Sequence, residues 1–103
     1  MDYLLVIQFA GDTLLAFDQI VEVEDRLMEV LGDAGEIDGH DIGSGEANIF
    51  VLTTRPEAAF LKVKTALEDL DLFDHVSAAY RPVEGDAFTR VWPADSHTPF
   101  VVA

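Results

Sequence analysis

Two helical stretches set among four strand-like ones, in the order strand–helix–strand–strand–helix–strand over about 80 residues, predict an α+β fold. The expected architecture is a ferredoxin-like βαββαβ sandwich, an antiparallel sheet with both helices on one face, carrying an additional C-terminal strand or tail. Such a fold hosts many activities, so it narrows function little.

The elements follow in order. "YLLVIQF" (3–9) is apolar and partly branched, and it is closed by Gly11 and Asp12, which makes it a strand. A helix runs from Thr13 or Leu14 to Leu31 and stops at Gly32 and Gly35. "EIDGHDI" (36–42) and "EANIFVLT" (46–53) are strands joined by the hairpin turn "GSG" (43–45). Thr54 and Glu57 have the spacing of a capping box, and Pro56 suits a first turn. They predict a second helix to about Leu70. "HVSAAYRPV" (75–83) is a fourth strand, and "AFTRVWP" (87–93) alternates as a fifth, edge strand. No repeat, linker or low-complexity segment interrupts the chain. Residues 1–103 form one domain, with a core over about 3–83 and a tail over 84–103.

Half of the 103 residues are hydrophobic, enough for a real core. The absence of cysteine removes disulfides, thiol nucleophiles and thiolate metal sites. The start, "MDYLLVIQFAGD", carries an acid where a signal peptide would carry lysine or arginine, and its apolar run ends too soon for a membrane span. The expectation is a soluble cytoplasmic protein with no membrane partner. Net charge is −14, and residues 1–52 carry most of it, with twelve acids against Arg26 alone. That surface repels phosphate backbones, which excludes nucleic acid, and attracts a basic protein partner.

Both sides of the strands are apolar. Strand one sets Leu5, Ile7 and Phe9 against Leu4, Val6 and Gln8, and strand three sets Ala47, Ile49 and Val51 against Asn48, Phe50 and Leu52. Helices cover one face, so the tail (Phe88, Val91, Trp92, Phe100, Val101, Val102), a second subunit or a ligand must cover the other. A homodimer through that second face is one expectation. Trp92 as a lid on it is another.

On a helical wheel Phe17, Ile20, Val21, Leu27, Met28 and Leu31 form one stripe, and Glu24 falls near its centre. A buried carboxylate is costly unless paired, hydrogen-bonded or protonated. Arg55, Arg81, His40, a tyrosine hydroxyl and the hairpin amides are its candidate partners. In a strand Asp38 and His40 share a face, a pair able to orient an imidazole for proton transfer or to supply two metal ligands. Glu24, Asp38 and His40 are therefore the candidate catalytic residues. Asp38, His40, Asp41, Ser44 and Asn48 are the candidate binding residues. The bland alternative is that the glycines shape a turn while Asp and Ser satisfy loop amides. Glu46, His75 and His97 stand at no recognisable ligand spacing, so neither a metal nor another cofactor is expected. Ser44 has no base within its segment.

The stretches "EIDGHDIGSGEANIF", "TTRPEAAF", "AAYRP" and "VWP" resemble a group of small acidic bacterial proteins of uncharacterised function, over residues 3–93. That resemblance implies no activity. The element order is also similar to ACT-type regulatory domains, although no effector-binding motif is present. Small acidic inhibitor and immunity proteins are similar in size and charge only. The reading is a non-enzymatic binding or interaction protein, regulatory or inhibitor-like. The alternatives are an ACT-like small-molecule-binding domain and an enzyme using Glu24, Asp38 and His40.

Overall fold

The computed structural model describes residues 2–10, 17–43, 46–93 and 100. It is a mixed α+β fold: β1 (Tyr3–Ala10), α1 (Phe17–Leu31), β2 (Glu36–Gly43), β3 (Glu46–Thr53), α2 (Pro56–Asp69), β4 (Val76–Pro82) and β5 (Thr89–Trp92). Short 3-10 turns, Gly32–Ala34 and Phe73–His75, lead into β2 and β4. The strands form one antiparallel sheet in the order β2-β3-β1-β4-β5. The expected start of the first helix at Thr13 or Leu14 lies outside the described residues, as do Gly11 and Asp12.

β1 is the central strand, and its alternation builds both layers. Leu5, Ile7 and Phe9 face the helices in one continuous core, while Leu4 and Val6 are buried on the opposite face. From α1 the core receives Ile20, Val23, Leu27 and Leu31, at the i, i+3, i+4 spacing of an inward stripe. The expected stripe is thereby corrected. Val21 and Met28 are 37% and 52% exposed, and Val23 is buried in their place. The helix is rotated so that its inner line runs through positions 20, 23, 27 and 31, with Glu24 beside it. α2 contributes Ala59, Val63, Ala66 and Leu67, and an Arg26–Asp69 contact of 3.7 Å links the helices at the surface.

The entry to α2 also differs from expectation. Its N-cap is Arg55, with no side-chain capping bond, so Thr54 stands one position before the cap, Glu57 falls at the second helical position, and the two close no capping box. Thr53 does the local work instead. Its hydroxyl donates to the Ala34 carbonyl at 2.7 Å and accepts from the Arg55 amide at 3.1 Å, which ties the turn before β2 to the end of β3.

The second sheet face is covered within one chain at its centre, where Val6 and Ala79 are fully buried. Phe88 and Phe100 pack ring to ring at 5.1 Å, with Arg81 over Phe88 at 5.8 Å and Arg90 over Phe100 at 5.5 Å. Arg81 is the cross-strand partner of Leu4, so this ring pair belongs to the second face. The Arg81 guanidinium also donates to the carbonyls of Pro82, Val83 and Gly85, fastening the β4–β5 connection. Val101 and Val102 lie outside the described residues.

Trp92 is on the other side, which corrects its expected role as a lid on the second face. The β4–β5 register shifts between Ala78 and Ala79, so Trp92 opposes Ala78, a helix-side core residue. The bulge carries the indole onto α2, 5.1 Å from Phe73 and 6.4 Å from Phe60 between ring centroids.

Candidate functional site

The candidate residues of the β2–β3 hairpin divide between the two faces of the sheet. β2 is irregular. Ile37 opposes Val51, yet Gly39 opposes Phe50, so Asp38 is the extra residue of a β-bulge. Gly39 has φ +144°, a conformation that side-chain-bearing residues rarely adopt. Past the bulge the alternation is displaced by one residue. His40 opposes Ile49 and Ile42 opposes Ala47, both helix-side positions. Asp38 and His40 are therefore no longer related by simple alternation: Asp38 is the unpaired residue of the bulge and is exposed, whereas His40 is half-buried on the helix side.

His40 turns instead to α1. Its Nδ1 is 2.9 Å from Glu24 Oε1, with the two side chains 24% and 11% exposed. The contact is an ion pair when the imidazole is charged, and a hydrogen bond donated by Nδ1 when it is neutral. This pairing accounts for an acid on the inner side of an apolar helix: the carboxylate is buried with a partner. Among the described residues no group of three or more His, Asp or Glu is placed to hold a metal ion.

A second polar group occupies the opposite face. Gln8 Nε2 donates to Glu46 Oε2 at 3.0 Å and to Asn48 Oδ1 at 3.1 Å, and Asn48 Nδ2 donates to Glu46 Oε2 at 2.8 Å. Asn48 is fully buried, and the exposed Asp41 is its cross-strand neighbour. This network satisfies a buried amide and pins the start of β3 to β1. The sheet lies between it and the Glu24–His40 pair, so Glu24, His40 and Asn48 do not line a common cleft. Ser44, Gly45 and His97 lie outside the described residues.

Gly39→Ala tests the bulge. A Cβ there would meet nothing within 4 Å, so the cost is conformational rather than steric. We expect a loss of about 1–3 kcal/mol in a urea titration. An unchanged midpoint would mean that the bulge tolerates a side chain and places no demand on glycine.

The concave site lies elsewhere, between α2 and the β4–β5 pair. Glu57, Phe60, Leu61 and Lys64 stand at i, i+3, i+4 and i+7 on α2 and form one wall, with Tyr80, Val91 and Trp92 opposite. The cleft holds about 430 Å³. The Lys64 ammonium sits 5.5 Å from the Trp92 ring centroid and 5.7 Å from that of Phe73. A neighbouring hollow at the start of α2 shares Glu57 and Tyr80 with it, and there Tyr3 packs edge-on to Tyr80 at 5.6 Å. None of the cleft residues was singled out as a binding residue from the sequence. The available signal was Leu61, an apolar residue on the outward stripe of α2 and 63% exposed. Its opposite wall depends on the β4–β5 bulge, which alternation does not reveal.

No family model, curated protein or solved structure matches the chain. Among the described residues no helix is long and apolar enough to cross a membrane.

Proposed function

We propose that the protein is a non-enzymatic binding domain whose site is the cleft between α2 and β5. The observation that carries this reading is the cleft itself, with aromatic walls, a few polar groups at its rim, and a volume within the roughly 300–1,000 Å³ usual for small-molecule sites. The dispersal of Glu24, Asp38 and His40 supports it as well. The first and last are engaged with each other, while Asp38 stands exposed at the bulge. The fold reading that accompanies it is a ferredoxin-like sandwich with one added edge strand. The stretch β2-β3-β1-β4, antiparallel throughout, supports that reading, and β5 departs from its four-strand pattern.

A library of apolar and aromatic fragments tests the site. In 1H–15N NMR spectra of the full chain, shifts should cluster at Phe60, Lys64, Tyr80 and Trp92. Fragment shifts gathered around Glu24 and His40 instead, with the cleft silent, would move the function to the acid–imidazole pair and restore the enzymatic alternative.

A further inference from the structure

We propose that this cleft takes an apolar or aromatic monocarboxylate, with the hydrocarbon body against Phe60 and Trp92 and the carboxylate on Lys64. The inference rests on the cleft being the binding site and adds the chemistry of its occupant.

Two cations line the cleft, Lys64 and Arg90. The Arg90 guanidinium is drawn over Phe100 at 5.5 Å and donates to the Trp92 carbonyl at 3.4 Å, so Lys64 carries the argument. The chain has 20 acids and 6 basic residues, so an ammonium surrounded by spare carboxylates would ordinarily be paired. Among the described residues, Lys64 is within ion-pair distance of none of them. Its ammonium lies instead against the faces of Phe73 and Trp92. A cation held by ring faces has a weaker partner than a carboxylate would be. An incoming carboxylate therefore gains a charge-assisted hydrogen bond without breaking an ion pair, and the lysine stem stays packed on the rings.

Glu57 sets the direction. It precedes Lys64 by seven residues on the same wall, about 10 Å along the helix axis. An acid at that end repels a carboxylate entering the wrong way round, and it repels the second charge of a dicarboxylate. The net charge of −14 acts in the same sense against phosphates and other polyanions. What remains favoured is one negative charge on an apolar body.

The single tryptophan of the chain is Trp92, so its emission reports this cleft alone. The full chain is titrated at fixed ionic strength with 3-phenylpropionate, with the neutral 3-phenylpropionamide of the same shape, and with glutarate. Phenylpropionate should change the emission saturably. The amide and glutarate should bind at least ten-fold more weakly. Lys64→Gln, with its urea midpoint unchanged, should bring the acid down to the level of the amide, and Lys64→Arg should preserve the preference. Equal binding of acid and amide to the native chain overturns the carboxylate assignment and leaves the cleft reading standing. If none of the three ligands moves the emission and the fragments also leave the cleft silent, both fall together. The comparison of ligands on the native chain holds even where a Lys64 variant fails to fold.

Discussion

A chain ended after Val83 is expected to lose its cooperative unfolding transition, or to persist only as an oligomer. The deleted segment serves both layers of the fold. On the helix side it supplies β5 and Trp92, which packs on Phe60 and Phe73. On the other face it supplies Phe88 and Phe100, packed against each other with tilted rings beneath Arg81 and Arg90. With Val91 these are four half-buried apolar side chains. Full burial of such a side chain is worth about 1.5–3 kcal/mol, so half-burial of four amounts to about 3–6 kcal/mol. Whole domains are stable by about 5–15 kcal/mol, so the loss removes a large fraction of that margin. It also uncovers the outer edge of β4. Light scattering and urea titration of the full and shortened chains decide the matter. A stable, monodisperse monomer ending at Val83 would show that neither the tail nor a second copy is needed over the sheet.

The second large effect is expected at Glu24. Glu24→Leu should destabilise by about 1–3 kcal/mol, because the His40 imidazole loses its carboxylate partner at a site with little water. Leucine recovers little of this. The glutamate methylenes already lie on the inner side of α1, so the gain is close to one further methylene, about 0.8 kcal/mol. Glu24→Gln keeps an acceptor in place and should cost less. The cycle Glu24→Leu, His40→Leu and the double variant isolates the pair, and its coupling should be about 0.5–3 kcal/mol. If Glu24→Leu instead raises stability, the pair has no structural task, and a carboxylate retained at the expense of stability becomes the better reading.

What the sequence made legible was whatever depends on unbroken periodicity. β1 has a period of two over eight residues, and both of its faces were apparent. Glu24 was visible as an intruder because a helix of fifteen residues has a well-defined inner side. The failures occur where periodicity is interrupted or its phase is undetermined. Simple alternation places Asp38 beside His40, and the apolar tail suggests Trp92 as a cover for the second face; a one-residue bulge at Asp38 breaks the first pattern, and one beside Trp92 sends the indole to the helix side. Val21 and Met28 sit at the margin of the α1 stripe, where a small rotation of the helix decides between burial and water. The α2–β5 cleft joins residues about thirty positions apart in the chain, as Phe60 with Trp92 illustrates, and no local pattern encodes that meeting.

The bulge in β2 has a bearing on how the molecule survives at high concentration. β2 and β5 are the two borders of the sheet, and a border strand offers a row of amides and carbonyls on which a foreign strand can grow. β5 is only four residues long, a poor template. β2 is twice that length and would be a good one. Its hydrogen-bonding line is broken at Asp38, and Glu36, Asp38 and Asp41 stand exposed along it. An approaching copy would bring the same three negative charges, so self-templating into fibrils is opposed by geometry and by charge on the same strand.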